Sequence, residues 1–173
     1  MLAKSINRGG KAIKVNLYSN ESSCRYKYFY ERINKPQRIY AELLMNPIFR
    51  FEKYSTYYLV VEIFKHKDKI LKYSKLTESE LIEQVYNLLK NVTLINENQI
   101  PKEIWVKSFE LTKDVDENDT AFVALTEFSE SKLWSLDKKL INGLRKKGYQ
   151  NIIETDELKR MSLENNQDNK LTE

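Results

Sequence analysis

The sequence predicts an α/β domain built on a mostly parallel central sheet flanked by helices, with an atypical first strand. Three observations carry that prediction. From Lys35 onward, runs with helical spacing alternate with short β-branched or aromatic runs. The junctions hold helix-start and helix-stop residues, among them Thr77 with Glu80, Pro101 and Gly148. The length of 173 residues, with 11 Tyr, 7 Phe and 2 Trp, suits one domain with enough large side chains for a core.

Residues 1–34 show no clean period. Gly9-Gly10 interrupts local structure, and Ser19 to Ser23 is loop chemistry. Cys24-Arg25-Tyr26-Lys27-Tyr28-Phe29-Tyr30 alternates charge with aromatic rings, which fits a half-exposed strand or a strip on which RNA bases stack. Pro36 opens a helix with Ile39, Leu43 and Leu44 on its apolar face, and Asn46-Pro47 ends it. Phe49 to Glu52 alternates like a strand. Ser55 is placed to cap a helix reaching about Lys72, with Tyr58, Leu59, Ile63 and Ile70 at roughly helical spacing.

Thr77 and Glu80 form a capping-box pair ahead of Leu81, Val85, Leu88 and Leu89. Val92 to Ile95 is a β-branched strand, and Pro101 starts a helix to about Leu111. Asp119 is placed to cap a helix containing Phe122 to Leu125. Lys132-Leu133-Trp134 reads as a buried strand, and Ser135 or Asp137 caps a helix that Gly148 stops. Asn151 to Ile153 is the last strand, and Thr155 caps a helix to about Leu163. The expected organisation is an N-terminal segment over 1–34, a domain over 35–163 and a polar, disordered tail over 164–173.

Composition narrows the chemistry. One cysteine, Cys24, excludes a disulfide framework and a cysteine zinc cage, and one histidine, His66, excludes a site needing two imidazoles. No run approaches 18 apolar residues, and the first residues do not read as a signal peptide, so a reducing, cytoplasmic location is expected. The net charge of +4 is uneven: residues 1–50 carry 10 Lys/Arg against 3 Glu, or +7, and the remainder 19 against 22 acids, or −3. A basic head suits a polyanion partner; it also suits simple solubility.

In parallel sheets, ligands bind outside the carboxyl ends of the strands. Asp137 follows the strand ending at Trp134, Asp119 opens a helix, and Glu62 lies among Val60, Val61, Ile63 and Phe64. Such clustered carboxylates repel unless protonated or neutralised by a cation. With no Cys or His cluster the fitting cation is hard, Mg²⁺ or Mn²⁺. Acids at helix N-termini also serve simply as caps, and both readings stand. His66, four residues after Glu62, suits a local hydrogen-bond pair. Trp105 and Trp134 suit the core or a partner surface. Lys138, Lys139, Arg145, Lys146 and Lys147 suit phosphate contact or, at the helix end, the helix dipole.

Three separated stretches resemble one known family. Asp116 to Leu125, Leu133 to Leu140 with Gly143 to Gly148, and Val61 to Ile70 look like the D-x-x-D-T-x-F-V-A-L-A, L-W-T-G-D-K-K-L and E-I-x-K-H-K-x-K-I segments of PIN domains, in order, over roughly residues 35–160. The nearest branch is the VapC-like toxin–antitoxin ribonucleases. The resemblance implies a PIN-like fold and a Mg²⁺- or Mn²⁺-dependent endoribonuclease, a toxin with an antitoxin partner and a possible homodimer. By position it makes Glu62, Asp119 and Asp137 metal ligands and catalytic acids, with Ser135 a catalytic hydroxyl for water or phosphate. Leu136 stands where the family has Gly.

The front departs from the pattern. The family opens with a strand ending in an acid, typically V-D-T-N, whereas Val15-Asn16-Leu17-Tyr18 puts Asn there and no Asp precedes Asp68. Reading codons for Cys24 to Glu31 one nucleotide out of register gives, for a permitted choice of codons, Val-Asp-Thr-Asn-Ile-Phe-Met. Residues 1–34 are therefore expected to derive from a shifted frame. The chain is expected to lack the acid-bearing central strand, a slot that Tyr26, Tyr28 and Tyr30 could fill by alternation without bringing a carboxylate, and to have impaired cleavage. The alternative is a non-catalytic PIN-like module that binds an antitoxin or RNA; a more distant one is an unrelated α/β domain.

Overall fold

A computed structural model describes residues 14–17, 39–46, 49 and 51–170. Its centre is a five-stranded, all-parallel sheet in the order β3-β2-β1-β4-β5. The strands are β1 (Lys14–Leu17), β2 (Glu52–Thr56), β3 (Thr93–Ile95), β4 (Lys132–Trp134) and β5 (Ile152–Ile153). The helices are α1 (Ile39–Met45), α2 (Tyr58–Lys65), α3 (Lys67–Ser74), α4 (Glu78–Leu89), α5 (Lys102–Thr112), α6 (Thr120–Phe128), α7 (Lys138–Lys146) and α8 (Thr155–Lys170).

Parallel strands buried on both faces read as continuous apolar runs, and successive side chains point to opposite faces. Leu133 and Ile152 join a core with Phe122, Val123, Leu140 and Leu144. Their neighbours Trp134 and Ile153 join the opposite core with Val15, Leu59, Ile63, Leu81 and Leu158. Trp134 is thus a core residue, and its Nε1 donates to Thr155 Oγ1 at 3.0 Å. Trp105 packs, half-buried, beside Ile100, Ala124 and Leu125.

The central strand differs from the sequence expectation. The sheet has no gap: Lys14–Leu17 pairs with β2 on one side and β4 on the other, with Asn16 in register with Tyr54 and Leu133. The domain therefore draws a strand from before Lys35. The aromatic strip Cys24 to Tyr30 and the shifted-frame reading lie outside the described residues.

Three further boundaries move. Phe49 and Phe51 alternate because both are buried, not because they pair; the strand is Glu52–Thr56, and Ser55 lies in its buried interior instead of capping a helix. The cap of α2 comes from 39 residues away, where Glu97 Oε1 accepts the Tyr58 N–H at 2.8 Å. The single helix expected to Lys72 is two, broken at His66 (φ −107°, ψ 15°). Their apolar residues, Ile63 and Ile70, are seven apart, a spacing that a straight helix and this broken one both satisfy. At the C-terminus, α8 runs on to Lys170 past the expected stop at Leu163, because nothing from Thr155 to Lys170 is a Gly or Pro breaker.

The capping box is present: Thr77 Oγ1 accepts from Glu80 N, and the Glu80 carboxylate accepts from Thr77 N at 2.8 Å. Gly148 adopts φ +80° after α7, its N–H donating to Arg145 O while Tyr149 N–H donates to Leu144 O, the paired bonds of a Schellman stop. Among the described residues no helix is long and apolar enough to cross a membrane.

Candidate functional site

The chain runs β1, β2, β3 toward one edge and then returns across β1 to place β4 on its other side. The switch point lies between β1 and β4, and sheets of this kind bind ligands there, outside the carboxyl ends of the strands. Each candidate acid is carried to that end. Glu62 is the fifth residue of α2, which follows β2 after one residue, so it lies about 6 Å along that helix. Helix α6 packs on β1, β2 and β4 and leads into β4. In a parallel sheet such a helix returns from the carboxyl end, so Asp119, at its start, is at that end. Asp137 is three residues beyond β4.

All four predicted residues are buried: Glu62 is 5%, Asp119 3%, Asp137 6% and Ser135 2% exposed. Burying a carboxylate is costly unless something compensates its charge. For Glu62, Lys65 Nζ lies 3.6 Å from Oε1, an i,i+3 pair whose lysine is half in solvent and so contributes little. Asp137 Oδ1 accepts the backbone N–H groups of Lys139 and Leu140 at 2.7 and 3.1 Å, which makes it the N-cap of α7.

Asp119 is not a cap. Its backbone is helical, its side chain makes no capping bond, and it ends a 3₁₀ turn, Glu117–Asp119. The capping work falls to Asp116, whose Oδ1 accepts from Asn118 N at 3.0 Å. Ser135 is turned inward: its Oγ accepts the Asp137 N–H at 3.0 Å and closes the turn around Leu136. The backbone N–H of His66 donates to Glu62 O at 3.3 Å across the helix break, and the residue is buried.

Tyr58 and Phe122 fasten the carriers of Glu62 and Asp119 together, their ring centroids 6.4 Å apart. A family model described as PIN domain matches residues 37–164.

The chain belongs to the PIN domain family.

PIN domains are generally nucleases, bind RNA and usually use divalent metals. No curated protein matches this chain. The match begins after β1, so the strand holding Asn16 lies outside the aligned PIN region.

Among the described residues no three of His, Cys, Asp and Glu come together as a metal-holding group. Mg²⁺ nevertheless rarely sits in an all-protein cage; it keeps several waters and uses one or two carboxylates plus substrate phosphate. Buried carboxylates with no thiol or imidazole cluster fit that open, hard-cation type in this PIN domain.

Sequence reading missed the residues that hold the acids in place. Glu97 acts at a distance no local pattern reveals. Thr120 sits in the family segment beside Asp119, yet its partner Thr112 has no sequence signal: their hydroxyls meet at 2.6 Å between α5 and the start of α6.

Proposed function

We propose that this PIN domain is built as a metal-dependent endoribonuclease centre in which Glu62, Asp119 and Asp137 hold Mg²⁺ or Mn²⁺ and that its cleavage of RNA is weak or lost. The observation that carries the reading is the burial of three carboxylates delivered by β2–α2, α6 and β4–α7 to one sheet end in a PIN family chain. A bound cation there would supply Lewis-acid activation of water and of the phosphodiester. The chain's own residues do the rest. Asp137 is oriented by the α7 N–H groups, Ser135 fixes the turn behind it, and Tyr58–Phe122 holds α2 to α6. Hydrolysis adds water to phosphorus and breaks one P–O ester bond, leaving a phosphate end and a hydroxyl end. Impairment is inferred from the sequence, which has Asn16 where the family resemblance expects an acid, and a neutral amide is a weaker ligand than a carboxylate.

The same reading makes the protein a toxin of a toxin–antitoxin pair acting in the cytoplasm. Tyr57 at the start of α2, with Val61 and Phe64 on it, all exposed at i, i+4 and i+7, give an antitoxin or a second copy an apolar strip to cover. One observation favours the second reading, a non-catalytic module binding an antitoxin or RNA: no three-ligand group is assembled among the described residues.

Titration of the protein with Mn²⁺, and an RNase assay with and without EDTA, separate the two. Mn²⁺ uptake that Asp119→Asn and Asp137→Asn abolish, with little or no cleavage, supports the first reading. No uptake leaves the binding module. Robust Mg²⁺-dependent cleavage lost in both variants would show that the centre is not impaired.

A further inference from the structure

The segment that ends in Asp119 is fastened by residues that are not themselves candidate ligands. Toward α6, the Thr112 and Thr120 hydroxyls meet at 2.6 Å, and Thr120 Oγ1 also lies 2.7 Å from Glu117 O. Toward α7, Lys147 Nζ donates to Glu110 O at 2.8 Å and to Asp114 Oδ2 at 3.0 Å. Between these, Val115 seats on Gly143. A methyl group on Gly143 would lie 2.5 Å from Val115 Cγ2 and 2.9 Å from Cγ1, closer than carbon atoms approach. Glycine inside a helix is destabilising relative to alanine, so its place in α7 needs a packing reason, and Val115 is one.

Val115 cannot yield cheaply. It is β-branched and stiff at χ1. Its N–H donates to Thr112 O at 2.8 Å, the Asp116 N–H donates to the same carbonyl at 2.9 Å, and the Asp119 N–H donates to Asp116 O at 3.1 Å. A displacement of Val115 therefore passes along hydrogen-bonded backbone to Asp119. Gly143 belongs to the helix whose N-cap is Asp137.

We infer that Gly143, through its contact with Val115, is a positioning residue that sets Asp119 relative to Asp137. The inference rests on the proposed function, since the pair matters because both acids hold one cation. Mg²⁺ demands near-ideal octahedral geometry, so a shift of a few tenths of an ångström in one carrier is felt as lost affinity.

The test compares full-length wild type, Gly143→Ala and the double variant Gly143→Ala/Val115→Ala. The readouts are calorimetric titration with Mn²⁺ alone, thermal unfolding, and hydrogen exchange of the Asp119 and Thr120 amides. Gly143→Ala is expected to fold, to bind Mn²⁺ about ten- to a hundredfold more weakly, and to exchange those amides faster. Removing the two γ-methyls of Val115 is expected to restore both. Wild-type affinity in Gly143→Ala, or a loss that tracks only its unfolded fraction, overturns the inference and leaves the proposed function standing. If the wild type takes up no Mn²⁺, the proposed function fails, and exchange alone decides the coupling: unchanged Asp119 and Thr120 exchange in Gly143→Ala refutes it.

Discussion

Oδ1 of Asp137 lies 2.7 Å from the backbone nitrogen of Lys139, so the carboxylate proposed to hold a cation also caps the helix that follows β4. The two roles separate by substitution. Asn caps about as well as Asp, whereas Ala loses the cap at a cost of about 1 kcal/mol. Asp137→Asn is therefore expected to unfold in urea close to wild type, and Asp137→Ala measurably earlier, while both lose Mn²⁺ binding. Retained Mn²⁺ affinity in the Asn variant would remove Asp137 from the ligand set.

The Thr112 and Thr120 hydroxyls make contacts with each other, with Ser108 O and with Glu117 O, yet they have only two protons between them. One must donate to the other, so the pair acts as a unit. Thr112→Val and Thr120→Val, measured singly and together by denaturant unfolding, are expected to be non-additive by roughly 0.5–1.5 kcal/mol. Additive losses would mean that the 2.6 Å contact contributes nothing of its own.

Far from the acids, Glu127 links three elements: Lys107 of α5 donates to its Oε2 at 2.8 Å and Asn151, before β5, to its Oε1 at 2.9 Å. Burial pushes this carboxyl up, but those donors outweigh burial and leave it below the ordinary value of 4.5. The buried Tyr149 hydroxyl sits beside the same carboxylate without closing a hydrogen bond of normal geometry, and burial followed by the Glu127 charge pushes its phenol up. Because the folded carboxyl titrates lower than the unfolded one, the unfolded state binds more protons in the window between them. The contribution is fully present above the unfolded value and lost as pH falls through the folded one. Glu127→Gln is expected to flatten the stability–pH curve below about pH 4.5; an unchanged acid limb would assign that limb to other carboxylates.

Helix α7 has no acid in its first turn and two exposed lysines there, Lys138 and Lys139, where the helix dipole disfavours cations. Two of the basic residues at its other end are occupied, Arg145 with Glu154 and Lys147 with Asp114. If the polyanion partner is single-stranded RNA, Lys138→Gln/Lys139→Gln is expected to weaken binding across sequences. It should also lower the slope of log affinity against log salt by about 0.7 for each phosphate contact removed. Filter binding at several salt concentrations reads this, and an unchanged slope would place the RNA path elsewhere.

Sequence by itself determined the fold class and the order of most elements. Helical spacing in Leu81-Val85-Leu88, the Thr77–Glu80 box and Gly148 after α7 are local signals, and each appears where the chain put it. Family membership was also legible, since three separated segments around Glu62, Asp119 and Asp137 carry it. Tertiary structure decided the rest. Only strand pairing shows that Lys14–Leu17 fills the central slot, because a four-residue strand has too short a period to read and is selected by its neighbours. Only packing shows that Ser55 is strand interior, that Glu97 caps α2, and that Asp119 is released from capping by Asp116. The first two depend on contacts between residues far apart in the chain, which leave no periodic trace in the sequence, whereas the Asp116 cap is local and Asp114, Asp116 and Asp119 look alike as capping residues until the backbone is seen.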